Sequence, residues 1–279
     1  MRRLRRKMIR TKKIRNLFAA PYLSWAIIFI IVPLVMVIWY GFTDSDGALT
    51  FANIASIARP EFMKSLGLSL LLSLISTMLC LIIAYPLCMI LTEKKAGKAG
   101  VVILLFILPM WMNTLLRTMA WQTILEKTGI LNTFLNFIHL PSIYIINKPQ
   151  AIIIGMVYNF LPYMVLPLYT ALSRIDDSVI NAARDLGANK FQTFLHVTLP
   201  LSIPGIISGI TMVFIPALTT FVLSQMLGGN KILLIGNIIE QEFTQAYDWH
   251  LGSGLSIILM VFIIINMVVE AAFDKSDEQ

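Results

Sequence analysis

Six stretches of this 279-residue chain contain no Asp, Glu, Lys or Arg: 16–43, 65–92, 99–116, 149–173, 197–230 and 251–269. Each approaches or exceeds the ~20 residues with which an α-helix crosses a hydrocarbon layer about 30 Å thick. A soluble core requires apolar faces, not charge-free blocks of that length. Unpaired amides are costly in lipid, so crossings of this kind satisfy their backbone as helices. The pattern predicts an all-α integral membrane protein with six transmembrane helices.

Punctuation residues set the expected boundaries. The first helix should begin near Pro21, kink at Pro33 and end before Gly41. The second should run to Thr92 with Pro86 near its end, followed by a tight turn over Lys94–Lys98 around Gly97. The third passes through Pro109 and Trp111, with Arg117 at its outer end or facing an aqueous cavity. Within 122–150 the apolar run Leu131–Leu140 is too short to span and precedes Pro141, which suits a surface or re-entrant helix. A fourth helix over 151–172 should be interrupted by Pro162 and Pro167. The fifth, over 201–223, holds Pro204, Gly205, Gly209 and Pro216, and 228–254 should be an outer loop before the sixth. Such prolines and glycines serve either close helix packing or unwound backbone along a transport path.

Composition agrees: 57% of residues are hydrophobic and 13% charged, with a mean hydropathy of +0.79. The net charge of +7 does not point to nucleic acid, because nine of the 22 basic residues precede residue 16 and no recognition motif follows them. The N-terminus, the 94–98 turn, the insert at 174–200 and Lys275 together carry 16 Lys and Arg, against six on the alternate side. The positive-inside rule therefore puts both termini in the cytoplasm. The first apolar run is too long for a signal-peptide core and lacks a small-x-small cleavage site, so a retained helix is expected. Cys80 and Cys88 share one apolar segment and form no disulfide or metal framework. Three expected regions follow: a basic cytoplasmic segment over 1–15, a transmembrane domain over 16–270 and a cytoplasmic tail over 271–279.

The insert, RIDDSVINAARDLGANKFQTFLHVTLP over 174–200, is charged and amphipathic between two apolar segments. Asp176 or Asp177 can cap a helix starting near Ser178; Gly187 can end it; Asn189 can begin another before Pro200 closes the unit. The second helix presents Phe191, Phe194, Leu195 and Val197. That ridge either enters a groove on a soluble partner or packs on the membrane domain itself.

Asn181-Ala182-Ala183, Gly187 and Val197-x-Leu199-Pro200 resemble the signature loop of bacterial ABC importer permeases: Glu-Ala-Ala, three residues, Gly, nine residues, Ile-x-Leu-Pro. The spacing matches throughout, with Asn181 replacing the Glu and Val197 the Ile. The resemblance implies a type I ABC importer transmembrane domain whose helices over 178–199 seat in a cleft of an ATPase. It assigns coupling to Asn181, Ala182, Ala183, Asp185, Gly187, Phe191, Phe194, Leu195, Leu199 and Pro200. LPMWMNTLLRTMAW (108–121), AIIIGMVYNFLPYMVLPLYTAL (151–172) and LGGNKILLIGNIIEQEF (227–243) with Asp248-Trp249 are similar to the spermidine/putrescine permeases of that superfamily. An importer of another small cation or osmolyte is the alternative.

That resemblance implies a heterodimeric pore made with a second permease subunit. It adds two copies of a cytoplasmic ABC ATPase holding ATP and magnesium, and an extracytoplasmic polyamine-binding protein, all at a bacterial cytoplasmic membrane, inner or sole. No cofactor is implied for this chain. Its one Gly-Lys pair, Gly97-Lys98, has Thr92 and Ala99 where a Walker A loop needs Gly and Ser or Thr. His139, His196 and His250 lie in separate regions and form no catalytic cluster.

A polyamine wants carboxylates for its ends and aromatic faces along its length. Glu240, Glu242 and Asp248, with Asp44 and Asp46, are candidate acids; Trp111, Tyr158, Tyr163 and Trp249 are candidate faces. Asn113 and Arg117 complete the candidate pathway, Arg117 at the cavity wall or the subunit interface. The plainer readings are solvated loop charges for the acids and packing or interface anchoring for the rings.

Overall fold

The computed structural model describes residues 21–93, 96–229 and 231–274. The basic segment 1–15, Lys94 and Lys95 of the expected turn, and the tail from Lys275 lie outside the described residues. The helices in chain order are Pro21–Gly41 (α1), Pro60–Glu93 (α2), Ala96–Ile107 (α3), Thr114–Leu125 (α4), Ile130–Phe137 (α5) and Pro149–Leu172 (α6). Asp177–Asp185 (α7), Lys190–Thr219 (α8), Val222–Gly228 (α9), Ile235–Gln241 (α10) and Trp249–Asp274 (α11) follow. Among the described residues the only β pairing is one bridge between Thr43 and Leu49. α1, α2, α6, α8 and α11 are each long and apolar enough to cross a membrane, and Gly100–Trp111 with Thr114–Phe137 form a further pair bent by 96°.

The described residues fall into two compact units. One comprises residues up to Ile57 with Glu242–Ile258; the other comprises Ala58–Gln241 and the chain from Leu259. In the smaller unit the Thr43 carbonyl is a hub, accepting from Asn53 Nδ2 at 2.8 Å and lying 2.7 Å from His250 Nδ1. Asp44 Oδ1 accepts from the amides of Asp46 and Ala48 at 3.0 and 2.9 Å and shapes the turn that follows α1.

The larger unit is organised around α2, α6 and α8. Cys80 Sγ approaches the Val157 carbonyl at 3.8 Å and Cys88 Sγ the Val165 carbonyl at 3.5 Å. The constant offset between partners means that α2 and α6 run parallel. Gly205 packs against Pro167 to Ala171 and Gly209 against Met164, so α8 runs antiparallel to α6. These small residues, one turn apart, allow the two backbones to approach closely. Tyr85 on α2 and Ser202 on α8 share a buried hydroxyl–hydroxyl bond of 2.7 Å.

Several expected boundaries are corrected. Pro162 and Pro167 do not interrupt α6, which is α-helical throughout. Each proline removes one intrahelical bond, but the packed inner face holds the helix in course. Pro200 does not close the insert: helix runs unbroken from Lys190 to Thr219. A π turn over Phe194–Thr198 precedes that proline, and another over Ile27–Ile31 precedes Pro33, both ending two residues before it. In each case the wider turn changes the hydrogen-bond register where the ring lacks an N–H. The expected outer loop over 228–254 is largely helical, containing α10, a π turn over Glu242–Ala246 and the start of α11. The third apolar stretch breaks after Trp111, placing Arg117 on α4 beyond the bend and not at the end of a straight crossing.

Asn237 pins the break between α8 and α10. Its Nδ2 donates to the Phe221 carbonyl at 3.0 Å, and its Oδ1 accepts from the Leu234 amide at 3.1 Å and from the Ser224 hydroxyl. The Ile235 amide donates to Ser69 Oγ on α2 at 2.8 Å, so α10 is anchored to the core.

Candidate functional site

The segment from Asp176 to Pro200 is built by local chemistry. Asp176 Oδ1 accepts from the Ser178 amide at 2.8 Å and caps α7. That amide first, and the Ser178 hydroxyl second, hold the Asp176 carboxyl below its usual range. At the other end Gly187 adopts φ +88°, a left-handed conformation that glycine takes without penalty. Its amide donates to the Arg184 carbonyl at 2.9 Å and the Ala188 amide to the Ala183 carbonyl at 3.1 Å. This is a Schellman termination, and it gives Gly187 of the loop pattern a structural reason. Asn189 then starts α8 with a capping box, Asn189 Oδ1 accepting from the Gln192 amide and Gln192 Oε1 from the Asn189 amide, both at 2.9 Å.

The apolar ridge divides into two sets. Phe191 is 69% exposed and Leu195 is also exposed, whereas Phe194 turns inward, its ring edge-on to Tyr85 at 5.7 Å and 85°. Thr193 is buried and Leu199 packs into the same cluster. Asn181, Ala182, Asp185 and Pro200 are exposed. Leu186, which the sequence reading passed over, is 90% exposed at the tip of the turn. Beside it a groove of about 430 Å³ is lined by Ala183, Leu186, Gly187, Gln192, His196 and Val197. An apolar residue directly before a helix-ending glycine was the available signal. The arrangement offers one exposed apolar tip on a two-helix elbow, with Phe194 rooting that elbow in the helix core.

The candidate pathway residues divide between the two units. In the larger unit Trp111 is fully outward, and Asn113 caps α4, its Oδ1 accepting from the Leu115 and Leu116 amides at 2.8 and 3.4 Å. Arg117 is only 7% exposed. Its Nη2 reaches Thr114 Oγ1 at 3.2 Å, while Nε and Nη1 are buried without a partner among the described residues. Tyr158 stands edge-on to Trp121 at 5.2 Å, Tyr163 to Phe160 at 6.3 Å, and Glu240 Oε2 accepts from Gln225 Nε2 at 3.1 Å. In the smaller unit the Glu242 carbonyl accepts from the Asp248 amide at 2.9 Å, and Asp248 Oδ1 accepts from the Leu251 amide at 2.9 Å, capping α11. The Trp249 ring lies 6.0 Å from Tyr40 and 5.8 Å from Phe243. Among the described residues no group of three or more His, Cys, Asp or Glu is placed to hold a metal.

Residues 16–277 match the family described as "Binding-protein-dependent transport system inner membrane component". The chain belongs to that family. The spermidine/putrescine transport system permease protein PotB of Haemophilus influenzae is 38% identical to this chain over 265 residues, covering 92% of it and 93% of the relative. The PotB protein of Escherichia coli is 36% identical over 254 residues, covering 88% of this chain and 92% of its own length. A crystal structure of a bacterial ABC transporter that imports the acidic polysaccharide alginate superposes with a TM-score of 0.80 over 97% of this chain and 98% of that one, at 17% identity. That likeness is one of fold: this permease has the all-α transmembrane domain of a type I ABC importer. It is a non-catalytic, multi-pass inner-membrane protein that works with a second permease, an ATPase that binds the ATP, and a substrate-binding protein.

Proposed function

We propose that this permease carries polyamines of the spermidine and putrescine class into the cytoplasm. The observation that supports it is the 38% identity to a spermidine/putrescine permease along nine-tenths of both chains. On this reading the substrate-binding protein delivers a polyamine, and the segments on both sides of the membrane domain over 16–270 face the cytoplasm.

Coupling runs through 174–200. Leu186, Phe191 and Leu195 enter the ATPase cleft, while Asn181, Ala182, Ala183, Asp185 and Gly187 set the elbow that presents them. Phe194, Leu199 and Pro200 transmit its displacement into α8. Closure of the ATPase dimer tilts α8 and α6 and switches access to the pathway, a change between two packings that nucleotide and substrate favour differently. Along the pathway Trp111, Asn113, Tyr158, Tyr163, Glu240, Glu242, Asp248 and Trp249 supply aromatic faces and acceptors. Arg117 belongs at its wall or at the interface with the second subunit.

The test is ATP-dependent uptake of radiolabelled spermidine and putrescine into proteoliposomes holding the full complex. Uptake competed by unlabelled polyamines, and abolished by Gly187→Asp while the complex still assembles, is the expected result. ATPase stimulation by some other ligand without polyamine flux would reject the substrate class.

A further inference from the structure

In the smaller unit an open cavity of about 510 Å³ is lined by Tyr40, Tyr247, Trp249 and His250 together with Asp248 and Ser45. The Tyr40 ring stands 6.0 Å from Trp249 and edge-on to His250 at 5.2 Å and 80°, so three rings form one wall. His250 Nδ1 lies 2.7 Å from the Thr43 carbonyl and 3.1 Å from the Tyr40 carbonyl. A carbonyl only accepts, so Nδ1 carries the proton and Nε2 of the neutral ring is left as an acceptor. Asp248 Oδ1 is committed to the Leu251 amide at 2.9 Å, and Oδ2 stands outside that cap. Tyr247 is held at φ +55°. A bulky residue rarely sits there, and such strain concentrates where a side chain must be aimed at something. The loop is closed behind it by the Asp248 amide on the Glu242 carbonyl at 2.9 Å.

We infer that this cavity holds one ammonium end of a linear polyamine, an inference that rests on the polyamine reading above. An ammonium brings three N–H donors and a positive charge. Asp248 neutralises the charge and accepts one bond, while His250 Nε2 and the Ser45 hydroxyl supply further acceptors. The faces of Tyr40, Tyr247 and Trp249 attract the cation and cover the methylenes that follow it. An anion would meet the Asp248 carboxylate, and a neutral apolar ligand would leave that carboxylate and the imidazole without partners. Of the residues that make the cavity, only Asp248 and Trp249 were legible as candidates. Tyr40 and His250 come from opposite ends of the chain, and the strained placement of Tyr247 has no sequence signal.

The test uses the assembled complex in nanodiscs without binding protein or nucleotide, with radiolabelled spermidine in equilibrium dialysis. Saturable binding is expected, competed by putrescine and not by 1,4-butanediol, which has the same spacer without charge. Asp248→Asn keeps an oxygen to cap Leu251, and Tyr247→Gly keeps the positive φ, so neither change threatens the fold. Each should weaken binding about tenfold. No saturable binding to the unaltered complex, equal competition by butanediol, or unchanged binding in both variants would overturn the proposal. Uptake by the unaltered complex separates the two failures. Polyamine flux with undiminished binding in the variants removes this site alone, whereas no polyamine flux removes the substrate class and the site with it.

Discussion

Gly205 and Gly209 lie one turn apart on the same face of α8, yet a methyl group would meet different neighbours at each. At 209 it would strike Met164 Sδ at 2.6 Å, the movable end of a flexible side chain. At 205 it would press on the Ala171 Cβ and stand 2.9 Å from the Pro167 carbonyl, neither of which can move without the α6 backbone. Gly to Ala inside a helix gains about 1 kcal/mol from propensity. Overpacking a helix contact costs about 1–3 kcal/mol. Gly209→Ala should therefore be close to neutral and Gly205→Ala destabilising by about 1–2 kcal/mol; thermal midpoints of the two variants in detergent give the comparison. Equal midpoints would mean that α8 and α6 do not approach as closely as described. Residue chemistry was legible where it is local: Asp176, Gly187 and Asn189 were all expected as helix ends, because caps depend on neighbours a few residues away. The inward turn of Phe194 depends on Tyr85, which is distant in sequence, and so did not follow from spacing.

At the scale of elements, the elbow formed by α7 and the start of α8 has an outer and an inner aromatic, and they should fail in different ways. Phe191 projects from α8, whereas Phe194 lies against Tyr85, whose hydroxyl is bonded to Ser202 further along the same helix. Phe191→Ala should weaken ATPase binding with little change in the stability of the permease, because it removes a largely exposed ring. Phe194→Ala should leave ATPase binding in place, lower stability by about 1–3 kcal/mol through the lost half-buried contact, and reduce transport per ATP hydrolysed. Co-purification of the ATPase and the ratio of uptake to hydrolysis separate the two; identical phenotypes would argue against a division of labour. The helix count was legible because charge-free length is a one-dimensional signal. Helix ends were less so, since prolines were read as breaks. Pro162, Pro167 and Pro200 all lie inside continuous helix, where bilayer packing makes an intact backbone worth more than the one bond each proline removes.

Across the whole molecule, the direction of the helices decides how many times the chain crosses. α2 and α6 run parallel, by the matched pairs of Cys80 with Val157 and Cys88 with Val165. Two parallel spans in one chain require an odd number of crossings between them, so residues 94–148 return to the starting side once. Among the described residues only the bent pair of Gly100–Trp111 and Thr114–Phe137 is there to do it, which makes six crossings among them. The 18 uncharged residues over 99–116 carry the same count in the sequence, but not the 96° bend or the continuation of the span through α4. The count has a direct consequence for sidedness: Lys148, at the start of α6, and Leu186, on the elbow after its end, must lie on opposite faces of the membrane. Both are exposed, and the native thiols, Cys80 and Cys88, are buried. In a chain carrying Cys80→Ser and Cys88→Ser, Lys148→Cys should react with an impermeant maleimide on intact cells. Leu186→Cys should react only after permeabilisation and should be protected when the ATPase is bound. Labelling of both from outside would break the crossing count, and reversal of the two would keep the count but place the elbow where no ATPase could reach it.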